Sequence, residues 1–249
     1  MATESYTPGY TVHASDFMAR RTLQSHGMFF HAHLKPGSTV LDCGCGPGSI
    51  TIGIAEAVFP GRVTGVDYAR SQIELARQRA VEHGTANLDY LTATCYALPF
   101  DDASFDCIFS HALLEHLAEP SRALAEFYRI LKPGGSIGIC SPDWGGFIVS
   151  PPSPALSDAM QAYMALQTKN GGDVLIGRKF GTYLHEAGFH TMSMQARYEC
   201  YPSLNLIGEY LARQLARDGQ QEHASTWLAW SRSPSGLFAQ TWVSAIGRK

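Results

Sequence analysis

Residues 40–49 carry the spacing most capable of chemistry. The apolar pair Val40 and Leu41 leads into Asp42, and Gly44, Gly46 and Gly48 follow at alternate positions before a helix-like segment opens at Ser49. That order describes a buried strand, a turn stripped of side chains and a helix N-terminus aimed at a ligand. Glycine adopts positive φ without penalty and lets a ligand approach the backbone closely. Asp42, at the mouth of the strand, suits a ligand with a positively charged amino group. A second acid, Asp67, ends the next strand-like run at residues 62–66. Its carboxylate can accept both hydroxyl protons of a ribose.

The glycine spacing narrows the ligand. A nicotinamide fingerprint needs G-x-G-x-x-G. Aligned on Gly44 and Gly46, the third glycine falls where Ser49 stands. No G-x-x-x-x-G-K-[ST] occurs, so a P-loop is excluded. A ligand with an ammonium, a sulfonium, a ribose and an adenine, and no phosphate, fits the two acids. S-adenosylmethionine is such a ligand.

Further blocks lie downstream in a consistent order. One is Leu98-Pro99-Phe100-Asp101-Asp102-Ala103-Ser104-Phe105-Asp106, a second is Leu131-Lys132-Pro133-Gly134-Gly135, and a weaker echo is Leu184-His185-Glu186-Ala187-Gly188-Phe189. With these motifs the chain resembles the class I S-adenosylmethionine-dependent methyltransferases, strongly over residues 36–140, and within them the branch that methylates quinones and other small molecules. The resemblance implies that Gly44, Cys45, Gly46 and Gly48 border the methionyl part of the cofactor, with Asp42 facing its ammonium and Asp67 its ribose. Relatives often place an acid against the adenine after the third strand. This chain has Thr94 there, which leaves adenine to Thr94 or to the backbone near Cys95 and Tyr96, with packing from Tyr68. Ser110, just beyond the fourth strand, belongs to the same shell. Tyr6, Tyr10 and His13 lie in an N-terminal arm that closes over the cofactor in the resembling branch, and Tyr10 is its cofactor-facing candidate.

Methyl transfer from a sulfonium is an in-line displacement by an already activated donor, so the protein mainly positions the acceptor and excludes water. Some acceptors also need a base. His111 follows the fourth strand, beside the methyl group, and can take a phenolic or enolic proton; a ring that merely fills space is the other reading. Glu115 and His116 lie one turn on. Asp143 follows the fifth strand as a second candidate proton acceptor, or as a turn residue after Pro142. Phe147, Met160, Met164, Tyr201, Trp227 and Trp230 could line an apolar acceptor pocket or belong to the core.

These residues need an alternating framework to hold them. Residues 14–33 read as a helix ended by Lys35-Pro36-Gly37. Strands are expected at 39–43, 63–66, 88–91, 105–109 and 136–140, with helices at 49–58 and 71–83 and another opening at Pro120. Such alternation implies a parallel sheet with helices on both faces, which binds ligands at the carboxyl ends of its strands. After residue 141, segment 150–154 reads as a linker or turn. Helices are expected at 155–169, 178–187, 204–216 and 224–230, and two final strands at 189–198 and 238–246. The expected fold is an α/β, Rossmann-like, doubly wound sheet of seven strands, mostly parallel with an antiparallel last strand, and a helical lid inserted late. One domain spans 1–249, with an arm and helix at 1–35, a cofactor-binding core at 36–142 and lid helices interleaved with the last strands at 150–235.

Composition sets the outer bounds. The 249 residues are 45% hydrophobic, enough for a core, and the formal net charge of −3 disfavours a nucleic-acid partner. No run of 18 apolar residues exists, so no membrane span is expected. Residues 1–5 lack the basic and apolar regions of a signal peptide. Six cysteines are scattered without a disulfide framework, and Cys43-x-Cys45 lacks a completing ligand set, so a reduced, metal-free, cytoplasmic enzyme is expected, as monomer or homodimer. The acceptor expected is a small, apolar or aromatic metabolite, methylated on oxygen, carbon or nitrogen. The alternatives are methylation of a macromolecule and a non-catalytic cofactor-binding module. Against amide methylation, Ser110-His111-Ala112-Leu113 stands where an Asn-Pro-Pro-Tyr-type motif would be.

Overall fold

The computed structural model describes residues 4–249; residues 1–3 of the arm and of the expected signal-free N-terminus lie outside the described residues. An eight-stranded sheet forms the frame. Its strands are β1 (Thr39–Cys43), β2 (Arg62–Asp67), β3 (Leu88–Thr92), β4 (Phe105–His111), β5 (Leu131–Pro142), β6 (Ile148–Ser150), β7 (His190–Cys200) and β8 (Leu237–Arg248). The order is β3-β2-β1-β4-β5-β8; β7 pairs along one side of β8, and the short β6 pairs with residues 237–239 on its other side, the side that β5 pairs over 242–248. β1 to β5 pair in parallel, and β8 runs antiparallel to β5 and β7. The expected mostly parallel sheet with an antiparallel last strand is present. β6 is an extra short strand at the edge of the segment read as a turn.

The helices are α1 (Val12–Ala19), α2 (Ser49–Val58), α3 (Arg70–Glu82), α4 (Pro120–Ile130), α5 (Pro154–Lys169), α6 (Ile176–Glu186), α7 (Leu204–Arg217) and α8 (Gln221–Trp230). Successive side chains of a strand alternate between faces, and β1 shows the result. Val40 packs with Phe30, Ile54 and Val58 on one face, and Leu41 with Phe127, Ile130 and Ile137 on the other. The helical period sets the seat of α4: Ala123, Leu124, Phe127 and Ile130 are buried, while Arg122 points outward.

The continuous helix expected over 14–33 is broken. α1 ends at Ala19, and a π turn (Leu23–Gly27) and a 3-10 stretch (Met28–His33) follow. Thr22 is extended and exchanges capping bonds with Ser25: the Ser25 amide donates to Thr22 Oγ1 at 3.2 Å and the Thr22 amide to Ser25 Oγ at 3.0 Å. Side-chain oxygens that compete for backbone amides start a new turn instead of prolonging the old one. The break leaves Arg21 between the two pieces.

α5, α7 and α8 build a second apolar core with Trp144, Phe17 and Phe238. Met160, Trp227 and Trp230 are buried inside it, and Phe147, Met164 and Tyr201 pack against it. These residues fill a cap core, so the apolar pocket expected of them is not formed by Met160, Trp227 and Trp230.

The downstream motif blocks serve the frame. Arg129 of α4 donates to the Phe100 carbonyl at 2.8 Å and the Leu98 carbonyl at 3.1 Å, and the Leu98 amide donates to Glu126 at 2.9 Å. Asp106 accepts from the Thr39 amide at 2.9 Å and from Lys132 at 2.8 Å. The two blocks tie β4 and β5 to their neighbours, outside the site.

Candidate functional site

A cavity of about 530 Å³ lies over the carboxyl ends of β1, β2 and β4, where the strand order reverses. Its size falls in the range of small-molecule sites, roughly 300–1,000 Å³. Asp42, Gly44, Cys45, Gly46, Asp67, Tyr68, Thr94, Cys95, Tyr96, Tyr10 and His111 line it, so most of the expected residues come together. Gly48, Ser110 and Asp143 are not among the lining residues.

The glycine loop is strung on β2. Amides of Gly44 and Cys45 both donate to the Val66 carbonyl, at 2.8 and 3.0 Å, and the Gly46 amide donates to Asp67 Oδ2 at 2.9 Å. Gly46 has φ of 51°, and a Cβ there would meet nothing nearer than the Met18 sulfur at 4.0 Å, so its bare backbone faces open cavity. Gly48 differs. Its φ is 79°, and a Cβ would sit 2.4 Å from the Tyr90 hydroxyl and 2.9 Å from Ala76. Gly48 is therefore required by the packing of the loop on β3 and α3, a correction to its expected contact with a ligand.

Asp42 is buried, and the Thr51 hydroxyl donates to its Oδ2 at 2.6 Å. Burial pushes its carboxyl up to about 7. A cation beside it would offset that cost. Asp67 accepts one bond per oxygen, from Gly46 and from the Ala69 amide at 2.9 Å. A carboxylate offers about four acceptor positions, so two remain for a diol. Burial raises its pKa despite these amides. Both acids and the bare Gly46 backbone fit the ammonium, ribose and methionyl chain of S-adenosylmethionine.

Tyr68 is 76% exposed and lines the cavity at its rim. Thr94 Oγ1 accepts from the Tyr96 amide at 3.3 Å. Burial raises the Cys95 thiol to about 12, which keeps it a neutral apolar contact. The arm covers the opening. Glu4 accepts from the Tyr96 hydroxyl and, at 2.6 Å, from the Ala118 amide. Tyr6 stacks on Tyr10 with ring centres 5.1 Å apart and meets His116 edge-on at 4.7 Å. Arg217 of α7 holds the arm through the carbonyls of Thr7 and Pro8.

Deeper in, His111 is buried and neither ring nitrogen has a partner among the described residues. Its ring packs on Trp242 at 4.7 Å and against His26 at 5.2 Å. Burial, with Arg21 nearby, holds its pKa well below the ordinary value, so the imidazole is neutral. His116 behaves alike, lowered to about 3 by burial and Arg21. Glu115 accepts from the Ser141 hydroxyl at 2.7 Å, and burial raises it to about 7.

Ser110 is buried, and its hydroxyl has no partner among the described residues. Asp143 is committed elsewhere. Arg178 donates to it from Nε at 2.8 Å, from a terminal nitrogen at 2.7 Å and from its amide at 3.1 Å, and the Gly145 amide adds a bond at 3.0 Å. These four donors hold the Asp143 pKa down against burial. The carboxylate ties α6 to the end of β5 and is no longer available as the expected proton acceptor.

Arg21, Met18 and Glu4 also line the cavity, and none of them belongs to a sequence motif. For Arg21 the only sequence signal is a long cationic side chain beside Thr22 and Ser25, whose capping breaks the helix. Among the described residues no cluster of His, Cys, Asp or Glu could hold a metal ion, and no helix is long and apolar enough to cross a membrane.

An open α/β sheet with a glycine loop, two strand-end acids and a covered cavity at the switch point defines a class that holds nucleoside-bearing ligands. Residues 41–139 match the methyltransferase domain family. A 37.1 kDa protein of uncharacterised function from a Streptomyces fradiae transposon is 35% identical over 62% of this chain and 44% of that protein. Demethylmenaquinone methyltransferase of Lactococcus lactis is 34% identical over 41% of this chain and 40% of that enzyme. The chain spans about half the length of the curated relatives it matches, or less. Phosphoethanolamine N-methyltransferase 2 of Haemonchus contortus, solved with phosphomonomethylethanolamine and S-adenosylhomocysteine, shares the fold, with a TM-score of 0.57 at 19% identity over 86% of this chain and 49% of that chain. Residues 41–139 thus match a methyltransferase domain, and the chain resembles the class I S-adenosylmethionine-dependent methyltransferases, among them enzymes of ubiquinone and menaquinone biosynthesis.

Proposed function

We propose that the protein transfers a methyl group from S-adenosylmethionine to a small, apolar or aromatic metabolite. The observation that carries this reading is the pairing of a buried, ion-free Asp42 with a half-satisfied Asp67 on either side of the bare Gly46 backbone. Asp42 would hold the amino group, Asp67 the ribose hydroxyls, and the segment 94–96 with Tyr68 and Tyr10 the adenine. The bound cofactor supplies an electrophilic methyl group that needs no further activation.

The chain's own residues then orient the acceptor and exclude water. Water is kept out by the arm, which Glu4 pins to the rim while Tyr6 and Tyr10 roof the cavity. Orientation falls to His111. As a neutral imidazole without internal partners, it can hold an acceptor hydroxyl or take its proton as the new bond forms. A small acceptor is supported by the covered cavity and by the formal net charge of −3, which does not suit a polyanion.

The test uses S-adenosylmethionine labelled on its methyl group, incubated with the protein and a deproteinised metabolite extract. The expected result is label in a small organic product, lost with Asp67→Ala. Label found only in added RNA or protein, or no turnover with any fraction, would overturn the reading.

A further inference from the structure

We propose that Arg21 is the receptor for an anionic group, and that the methyl acceptor is a small planar acid that docks its carboxylate on this guanidinium. The proposal deepens the methyl-transfer reading of the cavity and rests on it.

Arg21 stands in the break after α1. It lines the main cavity and also a recess of about 20 Å³ that continues from it beneath the cap. Its guanidinium lies over the Trp242 ring at 5.0 Å and near the Phe17 ring at 5.8 Å. Among the described residues it forms no ion pair and no side-chain hydrogen bond. The carboxylates closest in influence are already engaged. Glu199 accepts from Trp242 Nε1 at 2.8 Å and pairs with His26 at 3.3 Å. Glu115 is held by Ser141 and is half neutral near pH 7.

The same space gathers other nitrogens without partners. Both nitrogens of His111, Nδ1 of His116 and Nε1 of Trp144 are buried and unmatched, and each residue lines the cavity or the recess. A buried donor left unmet costs about 1–3 kcal/mol, and a buried charge costs more. The group that meets this set brings oxygen acceptors and a negative charge for Arg21 and the N–H donors, and a hydroxyl for the imidazole nitrogen of His111 that carries a lone pair. A guanidinium presents a rigid fork that matches a carboxylate with two parallel bonds.

Charge and shape choose among anions. Arg21 is the one Lys or Arg lining either space among the described residues, which suits a single negative charge. The recess has room for little more than one water, so the body of the acceptor lies in the main cavity, where Tyr6, His111 and His116 add rings to the lining, which suits a flat body. A carboxylate seated on Arg21 would set the rest of the molecule beside His111, on the methyl-donor side. Its negative charge would also complement the cationic donor.

The experiment titrates protein saturated with S-adenosylhomocysteine, by calorimetry, against benzoate, 4-hydroxybenzoate and indole-3-acetate, each paired with its neutral amide. In the wild type at least one carboxylate is expected to bind about tenfold or more tightly than its amide, the scale of one charge-assisted contact. Arg21→Met abolishes that difference and Arg21→Lys keeps part of it, while S-adenosylhomocysteine affinity persists in both. Arg21→Gln serves where the methionine variant does not fold. Equal binding of acid and amide across the panel, or a preference that survives in Arg21→Met, would overturn the proposal alone. Failure of the wild type to bind S-adenosylhomocysteine would overturn the methyl-transfer reading beneath it.

Discussion

At the outer end of the cavity the polar lining is acidic and comes from one short stretch of chain. Asp42 and Asp67 close β1 and β2, and the glycine loop joins them through Val66 and Gly46. At the inner end the polar lining is mixed, with one acid, Glu115, against Arg21, and comes from distant pieces: Arg21 after α1, His111 on β4, Trp144 after β5 and Trp242 on β8. Local backbone bonds hold the first end. Cap packing and aromatic contacts hold the second. A short-range device fits a cofactor shared by many enzymes, whereas an assembled wall can change with the acceptor.

The strongest way to separate the two ends is to damage the cap. Trp227 is fully buried among cap residues and touches neither cavity. Trp227→Ala is expected to lower the unfolding free energy by about 3–5 kcal/mol. At low temperature, where the variant is still folded, S-adenosylhomocysteine affinity should be unchanged. A denaturant melt and a titration on the same sample check both halves, and a parallel loss of affinity would show that the outer end leans on the cap.

The unequal legibility of the two ends follows from the same difference. Asp42, Gly46 and Asp67 are readable because spacing within a strand, a turn and the next strand dictates where they meet. Arg21 is unreadable because its ring partners, Trp242 and Phe17, arrive through the order of the sheet and the seating of the cap. Asp143 misleads for a related reason. Its position after β5 is legible, but Arg178, on the separate helix α6, takes its oxygens. The helix expected over 14–33 breaks at Thr22 and Ser25, where two hydroxyls outcompete the backbone. Gly48 reads as a ligand contact although the Tyr90 hydroxyl already occupies the space a Cβ would need.

A smaller effect concerns protons. Asp42 rises from an ordinary 3.8 to about 7 in the fold, and Glu115 from 4.5 to about 7. The folded state thus binds these protons more tightly than the unfolded one. Their contribution to stability is complete below about pH 4 and is lost as pH rises to about 7. Asp42→Asn should flatten part of that decline in denaturant midpoints measured from pH 4.5 to 7.5, leaving the Glu115 share. S-adenosylhomocysteine, with its ammonium, should release a proton from Asp42 on binding near pH 6. Calorimetry in buffers of different ionisation enthalpy reads that release, which should vanish in Asp42→Asn.

The arm supplies the smallest expected effect. Glu4→Gln weakens the charge-assisted bonds to Tyr96 and Ala118 at the rim. Affinity for S-adenosylhomocysteine should fall by about fivefold, on the order of 1 kcal/mol. The loss should appear as faster dissociation in stopped-flow traces. A slower association with unchanged release would instead mean that Glu4 steers the ligand in.

Asp67 is the residue on which the outer end depends, because it holds the loop and, in the proposed function, also takes the ribose. Calorimetric titration of S-adenosylhomocysteine into wild type and Asp67→Ala tests it most directly. The expected result is one equivalent bound by the wild type and affinity about 100-fold weaker in the variant, the loss of roughly 3 kcal/mol of charge-assisted bonding. Equal affinity in the two proteins would contradict the assignment of this cavity to the methyl donor.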